Sequence, residues 1–192
     1  MSQPQIATRA LFLDRDGVIN EEIGYLIHTR DVRFVSGLFP LLRTAMELGY
    51  RLVVVTNQSG IARGLYTEAD FHALMRWIGD ELARERIFLD GIYFCPFHPE
   101  HGQGDYRREH PDRKPGPGML LRAATDLGLE LRESLLVGDR CSDIAAANAA
   151  GLRQAFLLQG TELRSCPGPH TAVGTLMEVE LWLRAHAASP AR

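Results

Sequence analysis

Five short apolar segments, each followed by a helical pattern, constrain the fold of this chain more strongly than any other feature of its sequence. The apolar segments predict buried strands at Ala10–Leu13, Leu52–Val55, Gly91–Phe94, Leu135–Val137 and Gln154–Leu158. The helical patterns run over about 38–48, 67–86, 118–128, 142–151 and 174–187. Alternation of strands and helices is typical of parallel sheets whose two faces are covered by helices. We therefore predict an α/β fold with a Rossmann-like parallel sheet and helices on both faces.

Length and composition place these elements in one domain. The 192 residues are 45% hydrophobic and 23% charged, which is ordinary for a folded protein. A chain of this length is long enough for one well-buried core, and its length favours one domain over two. We therefore predict a single domain over residues 1–192, with its core over about 8–160 and a C-terminal helix over about 174–187.

Charge, cysteine content and hydropathy argue against several classes of function. A net charge of −3 offers no basic surface for nucleic acid or for an anionic membrane. No apolar run is long enough to span a membrane, and Met1–Ala10 lacks the apolar core of a secretory signal. The three scattered cysteines, Cys95, Cys141 and Cys166, do not suggest a disulfide framework and are typical of a reducing compartment. We expect a cytoplasmic monomer whose partner is a small molecule.

Two aspartates follow the first predicted strand, at the edge of the sheet where parallel strands end and ligands bind. Asp14 and Asp16 can converge there on one cation or one phosphoryl group. In that case Asp14 is the nucleophile, while Asp16 protonates the leaving oxygen and then deprotonates the attacking water. Gly17 lets the chain turn sharply away. The alternative is an ordinary turn with solvated aspartates.

The second predicted strand ends in a polar loop, Thr56–Gly64. The hydroxyl of Thr56, the side-chain amide of Asn57 and free backbone N–H groups suit the oxygens of a phosphate. A polar turn without a chemical role is the alternative. On charge grounds, Arg63 of the same loop joins the candidate substrate-binding residues.

A lysine and a second pair of aspartates complete the candidate site. Lys114 precedes a proline, which biases its backbone towards an extended conformation, and its ammonium can hold a phosphate and offset the charge of Asp14. Asp139 follows the fourth strand as Asp14 follows the first, so both can bind one hard cation through oxygen. Two roles are open for Asp143, namely direct binding of that metal and, with Ser142, capping of the helix that follows. Support of the metal site from beside the ligands is compatible with both.

Each of these features has a structural explanation, but their combination predicts a complete phosphoryl-transfer site. A carboxylate does not readily attack a phosphate dianion unless the negative charge is neutralised, so the site requires Mg²⁺. We therefore predict a Mg²⁺-dependent phosphatase that forms a covalent aspartyl-phosphate on Asp14.

The same residues resemble the four motifs of the haloacid dehalogenase (HAD) superfamily of phosphatases. The matching segments are Phe12–Val18, Thr56-Asn57, Lys114 and Gly138–Asp143. The chain also resembles one branch of this superfamily, the D-glycero-D-manno-heptose bisphosphate phosphatases with their histidinol phosphatase relatives. The segments that carry this second resemblance are Thr56–Gly64, Asp90–Cys95 and Arg113–Met119. The resemblance covers about 10–158 and implies a HAD-like sheet without a cap domain. The two long connections, 20–36 and 96–117, have no room for an independently folded lid.

The resemblance also implies a substrate and the residues that bind it. The Asp14 and Asp139 side chains and the backbone carbonyl of Asp16 would hold Mg²⁺, while Thr56 and Lys114 would serve catalysis. The implied substrate-binding residues are Glu22, Gly24, Tyr25, Asn57, Gln58, Ser59, Arg113 and Arg140. The implied reaction removes the C7 phosphate of D-glycero-D-manno-heptose 1,7-bisphosphate, on the route to ADP- or GDP-heptose for lipopolysaccharide and other surface polysaccharides. Histidinol phosphate and other small sugar phosphates are the alternative substrates.

One segment departs from the pattern of the branch. Many members fold the long loop around zinc, with a Cys-Pro-His start and a Cys-x-Cys finish, whereas this loop starts Cys95-Pro96-Phe97-His98 and finishes His110-Pro111-Asp112. Phe97 cannot bind a metal. A rearranged zinc site is the alternative, formed by Cys95, His98, His101 and His110. We expect a loop without structural zinc, held by polar contacts and prolines.

Two alternatives lie outside the enzymes. A phospho-receiver signalling domain also combines Asp, Mg²⁺, Thr and Lys on a doubly wound sheet, but it needs its acceptor at the middle strand and an acidic pair after the first. Here Asp16 lies beside the proposed nucleophile, which favours turnover over a lasting phosphoryl group. A binding module with a decayed site is disfavoured because no motif position is missing.

Overall fold

Six parallel strands form one sheet in this protein. The structure is a computed structural model that describes residues 8–159 and 165–186. The strand order is β3-β2-β1-β4-β5-β6, and every neighbouring pair is parallel. The strand bounds are β1 Arg9–Leu13, β2 Tyr50–Asn57, β3 Gly91–Cys95, β4 Leu135–Gly138, β5 Gln154–Leu158 and β6 Thr171–Val173. The predicted Rossmann-like α/β fold is confirmed.

Helices cover both faces of this sheet because successive residues of a buried strand point to opposite faces. The helices are α1 Leu38–Glu47, α2 Ser59–Ala62, α3 Glu68–Arg84, α4 Gly118–Leu127, α5 Cys141–Ala150 and α6 Leu176–His186. In β1, Leu11 and Leu13 belong to the apolar cluster that includes α1, α3 and α6. Ala10 and Phe12 belong to the cluster that includes α4 and α5. The central strand therefore has no polar face.

Element boundaries follow local chemistry. Helix α3 begins after a capping box, in which Thr67 Oγ1 accepts from the Asp70 N–H and the Asp70 carboxylate accepts from the Thr67 N–H. Strand β6 was not predicted because two of its three residues are exposed, so it carries no apolar run. The last helix begins at Leu176 rather than at 174, and the predicted end at Ala187 lies outside the described residues.

The strand order brings three strand ends together. Strand β1 lies between β2 and β4, and the Asp14 N–H donates to the Val137 carbonyl of β4 over 3.0 Å. The residues that follow β1, β2 and β4 therefore share one edge of the sheet, at a point where the order of the strands reverses. Open α/β sheets bind their ligands at such a point.

The prediction that the cysteines do not pair is wrong. Cys141 and Cys166 form a disulfide with an S–S distance of 2.00 Å, and Cys95 is a buried free thiol. The two cysteines meet because the segment that begins at residue 165 passes the first turn of α5. They are 25 residues apart in the sequence, and that spacing does not predict their contact.

Of the helices in residues 8–159 and 165–186, none has the length and apolar character needed to cross a membrane.

Candidate active site

Three carboxylates converge beyond the ends of β1 and β4. One oxygen from each of Asp14, Asp139 and Asp143 lies within 4.8 Å of the others, and no other group of three potential metal ligands occurs in the described residues. The sequence predicted Asp14 and Asp139 together and left the role of Asp143 open. The Asp143 carboxylate caps α5 by accepting from the Arg140 N–H over 2.9 Å, and it also belongs to the cluster, where its metal role stays a prediction.

Lys114 is the buried cation of this cluster. Its Nζ lies 3.1 Å from Asp14 Oδ1 and 2.5 Å from Asp143 Oδ1, and it donates to the Val55 carbonyl over 2.8 Å. Burial alone would lower the pKa of the Lys114 ammonium, but the two aspartates outweigh burial and raise it. The lysine therefore stays charged at the base of the site.

Asn57 fixes the backbone of Lys114. Its amide nitrogen donates to the Lys114 carbonyl and its amide oxygen accepts from the Lys114 N–H, each over 3.0 Å. Both ends of the Asn57 side chain are thus engaged by the lysine, although the sequence placed Asn57 among the substrate-binding residues. This reciprocal pair joins the loop after β2 to the loop before α4.

The cluster has the properties of a site for a hard divalent cation. Burial, reinforced by neighbouring carboxylates and opposed by Lys114, raises the pKa of Asp14 to about 7. Burial and Asp143, opposed by Arg140, raise the pKa of Asp139 to about 6. Asp139 Oδ1 is buried without a hydrogen-bond partner. A cation bound here would take up that oxygen and favour the ionised carboxylates, so the residues present fit Mg²⁺.

Gly17 brings the loop after β1 against this cluster. Its φ of 82° lies in the left-handed region, and a Cβ at this position would stand 2.4 Å from Asp139 Oδ2. Any larger residue would displace the Asp139 carboxylate. The glycine therefore serves both the predicted sharp turn and the close approach of the two loops.

The side chain of Asp16 does not belong to the group of three clustered carboxylates. It accepts from Arg15 Nε and Nη2, from Asn20 Nδ2 over 3.0 Å, and from Gln58 Nε2 over 3.2 Å. Arg15 is only 1% exposed. Neither Arg15 nor Asn20 was predicted as a site residue, because arginine is rarely buried and asparagine in a turn has an ordinary explanation.

Gln58 is held by buried polar groups beside Thr56. Its Nε2 donates to Thr56 Oγ1 over 2.8 Å, and its Oε1 accepts from the Tyr66 hydroxyl over 2.5 Å. Gln58 and Thr56 are each 1% exposed, and Tyr66 is 8% exposed. Tyr66 was not identified from the sequence, since a tyrosine at the end of a loop carries no local signal of this contact.

A cavity of about 380 Å³ opens above these groups. All but one of the residues predicted to bind substrate line it: Glu22, Gly24, Tyr25, Asn57, Gln58, Ser59, Arg113 and Arg140. The exception is Arg63, which follows α2 and is not part of the lining. Asp14, Asp16, Thr56 and Lys114 also line the cavity, so the structure brings the four predicted catalytic residues together.

Two arginines, Arg113 and Arg140, line the cavity. Arg140 Nη2 is 2.7 Å from Glu22 Oε2, and Glu22 Oε1 accepts from the Gly24 N–H over 2.7 Å. Arg113 Nη1 donates to the Phe97 carbonyl over 3.1 Å. Arg140 Nε also lies 3.9 Å from Asp139 Oδ2. Each arginine has further N–H groups with which it could bind an anion.

Aromatic stacking organises the long loop between β3 and α4. The ring of Phe97 lies 4.6 Å from that of His110, and the Arg108 guanidinium lies 4.0 Å from the centre of the Phe97 ring. His98 Nδ1 accepts from the Glu100 and His101 N–H groups over 3.2 and 3.1 Å. In the described part of the loop, Cys95 and the histidines form no group of three potential ligands. The expectation that the loop holds no zinc stays a prediction.

A parallel sheet of this order, with a carboxylate cluster beyond its first and fourth strands, is the arrangement of HAD-type hydrolases. Residues 112–172 match the family model described as HAD-hydrolase-like. A HAD-like phosphatase from Mesorhizobium loti superposes with a TM-score of 0.83 at 36% identity, covering 97% of this chain and 90% of its own. The class of protein is thus a HAD-type phosphatase.

More similar relatives narrow this class. The chain is 49% identical over 167 residues to the D-glycero-alpha-D-manno-heptose-1,7-bisphosphate 7-phosphatase of Burkholderia mallei, covering 87% of this chain and 85% of the relative. It is 44% identical over 150 residues to the beta-heptose enzyme of Escherichia coli K12, covering 78% of each. The chain therefore belongs to the heptose bisphosphate phosphatase family of the HAD superfamily.

A solved structure in the same family includes ligands. The heptose 1,7-bisphosphate phosphatase of B. bronchiseptica, complexed with magnesium and phosphate, has a TM-score of 0.78 at 28% identity and covers 93% of this chain and 99% of its own. The family resemblance expected from the sequence is confirmed.

Proposed function

We propose that this protein is a Mg²⁺-dependent phosphatase that removes the C7 phosphate of D-glycero-D-manno-heptose 1,7-bisphosphate. The observation that carries the proposal is the position of Asp14, which lies beside Lys114 and two further carboxylates at the base of a cavity bordered by two arginines. The names of its relatives in Burkholderia mallei and Escherichia coli support the substrate.

Asp14, Asp139 and the backbone carbonyl of Asp16 would hold Mg²⁺ in this protein. The ion would supply charge neutralisation for the substrate phosphate. Asp143 would act from beside the ion, because its carboxylate is 2.5 Å from the Lys114 ammonium and accepts from the first turn of α5. It thereby holds the lysine where a phosphate oxygen can reach it.

Phosphoryl transfer would proceed in two steps through Asp14. An oxygen of the Asp14 carboxylate attacks phosphorus, the bond from phosphorus to the C7 oxygen breaks, and Asp16 gives that oxygen its proton. A water molecule then attacks the aspartyl-phosphate and loses its proton to Asp16. Inorganic phosphate leaves, and Asp14 is regenerated. The Thr56 hydroxyl and the Lys114 ammonium would hold the transferred phosphoryl oxygens.

The second phosphate of the substrate gives the two arginines a role. Lys114 and Mg²⁺ serve the reacting phosphate, so Arg113 and Arg140 are available for a distal anion, which the planar guanidinium binds well. Histidinol phosphate carries a cationic group at its far end, which these arginines would repel. The charges around the cavity therefore favour a bisphosphate over histidinol phosphate.

We also propose the cellular setting that this substrate requires. Dephosphorylation at C7 leaves the C1 phosphate available for nucleotide activation to ADP- or GDP-heptose, which serves lipopolysaccharide and other surface polysaccharides. These steps occur in the cytoplasm, and a monomer is sufficient because one chain contains every proposed catalytic residue. The Cys141–Cys166 disulfide is an unusual feature for that compartment.

The substrate is tested with Arg113→Ala. We expect kcat/KM to fall at least tenfold for either anomer of the heptose 1,7-bisphosphate and less than twofold for heptose 7-phosphate, because only the bisphosphate offers the distal anion. Steady-state phosphate release measures both. Arg132→Ala, an exposed arginine of the 131–133 turn, is the control and should leave both values unchanged. Equal losses on the two substrates would assign Arg113 to the reacting phosphate and remove the support for a bisphosphate.

A further inference from the structure

A chain of buried hydrogen bonds leads from Tyr66 to Asp16. The Tyr66 hydroxyl donates to Gln58 Oε1 over 2.5 Å, and Gln58 Nε2 donates to Asp16 Oδ2 over 3.2 Å. We propose that Tyr66, acting through Gln58, is a positioning residue that holds the Asp16 carboxylate where it can exchange a proton with the leaving group. This inference rests on the proposed function and adds to it a residue that does not touch the reacting atoms.

The amide of Gln58 has two ends, and Tyr66 determines which end faces Asp16. An amide oxygen accepts and an amide nitrogen donates, so a rotated amide would place its oxygen against the carboxylate of Asp16. The Tyr66 hydroxyl occupies the oxygen end. The nitrogen end is thereby directed to Asp16 and to Thr56 Oγ1, which is 2.8 Å away. Without the hydroxyl, nothing described in the structure holds the oxygen end of the amide.

Gly60 places Tyr66 for this contact. A Cβ at position 60 would stand 2.1 Å from Cε1 of the Tyr66 ring, so only glycine lets the ring pack this closely against the loop after β2. Burial, opposed by Arg15 and reinforced by Asp16, raises the pKa of Tyr66 to about 12. The hydroxyl therefore remains protonated, and remains a donor, at any pH at which the enzyme works.

Arg15 holds Asp16 from the other side. Its Nη2 contacts both carboxylate oxygens, Oδ1 over 2.7 Å and Oδ2 over 2.5 Å, and its Nε donates to Oδ1 over 3.0 Å. Arg15 is buried and does not line the cavity, whereas Gln58 does. The arginine thus binds both oxygens of Asp16 from outside the lining of the cavity, whereas Gln58 donates to Oδ2 from within that lining. Loss of Gln58, or release of its amide on loss of Tyr66, would leave Oδ2 held by Arg15 alone, while Asn20 would still donate to Oδ1.

The test separates proton transfer from binding by varying the leaving group. An alkyl leaving group such as a sugar needs a proton from Asp16, whereas p-nitrophenolate leaves without one. With Tyr66→Phe we expect the single-turnover rate of phosphoenzyme formation to fall about tenfold for the sugar bisphosphate and less than twofold for p-nitrophenyl phosphate. This loss is smaller than the roughly 10²–10⁴-fold cost of removing an acid–base group outright. The KM for the sugar bisphosphate should stay within twofold.

Two further variants sharpen the test. Gln58→Met keeps the length of the side chain and removes both hydrogen-bonding ends. It should give the same dependence on the leaving group, and the double variant with Tyr66→Phe should be no slower than Gln58→Met alone, since both act through one contact. The matched control is Tyr93→Phe. Tyr93 is also 8% exposed, but its hydroxyl donates to Asp126 far from the cavity. It should show no dependence on the leaving group.

A second readout needs neither substrate nor metal. In the metal-free protein we expect slow solvent exchange of the Gln58 side-chain amide protons in NMR spectra, and fast exchange in Tyr66→Phe but not in Tyr93→Phe. Equal slowing of both leaving groups, or an effect on KM alone, would overturn the positioning role. Failure of the proposed function is distinguishable, because the wild-type protein would then form no acid-stable phosphoenzyme on either substrate.

Discussion

Two regions at the carboxyl edge of the sheet are built in opposite ways. Beyond β1 and β4, Asp14, Asp139, Asp143 and Lys114 form a buried cluster in which charge meets charge. Beyond β3, the loop 96–117 is organised by a stack in which both His110 and Arg108 contact the ring of Phe97. In the first region the burial of charged groups is unfavourable to folding. In the second region the partial burial of the Phe97 ring is favourable.

The difference explains why the charged cluster can be predicted from a sequence and the stack in the loop cannot. Under the proposed function each position of the cluster needs a charge of one sign, which few residue types supply. A loop can be stabilised by many combinations of aromatic rings, prolines and hydrogen bonds, so no single residue of 96–117 predicts the stacking of Phe97. The comparison leads to experiments that should damage one region and leave the other intact.

The largest effect is expected from the charged cluster. Asp14→Asn should abolish turnover and prevent formation of an acid-stable phosphoenzyme, because an amide neither attacks phosphorus nor binds Mg²⁺ as well. Asp16→Asn should slow turnover by about 10²–10⁴-fold through loss of acid–base assistance. Labelling with ³²P-substrate and steady-state phosphate release measure both, and the loop should stay folded in each variant. Phosphate release at near wild-type rates by either variant would contradict the mechanism.

The next prediction concerns Mg²⁺ and pH. Asp14 and Asp139 have folded-state pKa values of about 7 and about 6, raised from an ordinary 3.8. In the metal-free protein their contribution to stability is therefore present below pH 3.8 and is lost as the pH rises through about 6 and 7. Mg²⁺ displaces the bound protons, so its affinity should rise up to about tenfold per pH unit for each proton released over this window.

Thermal unfolding with and without Mg²⁺, at pH 5.5 and at pH 8, measures this linkage. The increase in Tm caused by Mg²⁺ should be larger at pH 8. EDTA should remove activity, and added Mg²⁺ should restore it. Asp139→Asn is the matched variant, in which the dependence of the Mg²⁺ effect on pH should weaken. An equal increase in Tm at the two pH values would show that these carboxylates are already ionised without the metal.

A smaller effect is expected in the loop. Phe97→Ala removes the ring that His110 and Arg108 contact, and should lower the free energy of unfolding by about 1–2 kcal/mol because the ring is only partly buried. Arg113, which donates to the Phe97 carbonyl, should lose some of its position, so kcat/KM should fall a few-fold on the bisphosphate. Hydrolysis of p-nitrophenyl phosphate should be unchanged.

Phe88→Ala is the control for this loop variant, since Phe88 is 60% exposed and should be nearly neutral to stability. Chemical denaturation and steady-state kinetics measure the two effects. If Phe97→Ala reduced hydrolysis of both substrates equally, the two regions would be coupled and the comparison between them would fail.

The smallest expected signal is the zinc content of the purified protein. Because Phe97 replaces a potential ligand and stacks on His110, elemental analysis of the purified protein should find zinc absent or far below one atom per chain. Cys95→Ser should then leave the loop folded, as measured by protection from proteolysis. One tightly held zinc per chain would show that Cys95 and the loop histidines rearrange into a metal site.

Sequence reasoning recovered the order of elements and the residues whose chemistry is specific. The five apolar strands and the four motifs of the site were predicted because buried parallel strands are apolar on both faces and because strand ends collect ligands. Contacts between segments that are distant in the sequence were not predicted. The Cys141–Cys166 disulfide, the stacking of Phe97 and the contact of Tyr66 with Gln58 all join segments whose approach is decided by packing.

Arg63 and Gln58 show a second limit. Arg63 was included for its charge alone, and the structure places it outside the lining of the cavity. Gln58 lines the cavity, but both ends of its amide bind protein groups. A polar residue in a ligand-binding loop can therefore serve the neighbouring residues instead of the ligand, and sequence position alone does not separate the two roles.

The single lysine within the carboxylate cluster has a consequence for the order of events during turnover. Once Asp14, Asp139 and Asp143 are all ionised, Lys114 offsets only one of their charges, and the cluster is left with two negative charges. A phosphate dianion carries the same sign and would be repelled. Under the proposed function one divalent ion would neutralise the cluster, so we expect the metal to bind before the phosphorylated substrate. The ion should then remain between cycles while only sugar, water and phosphate exchange.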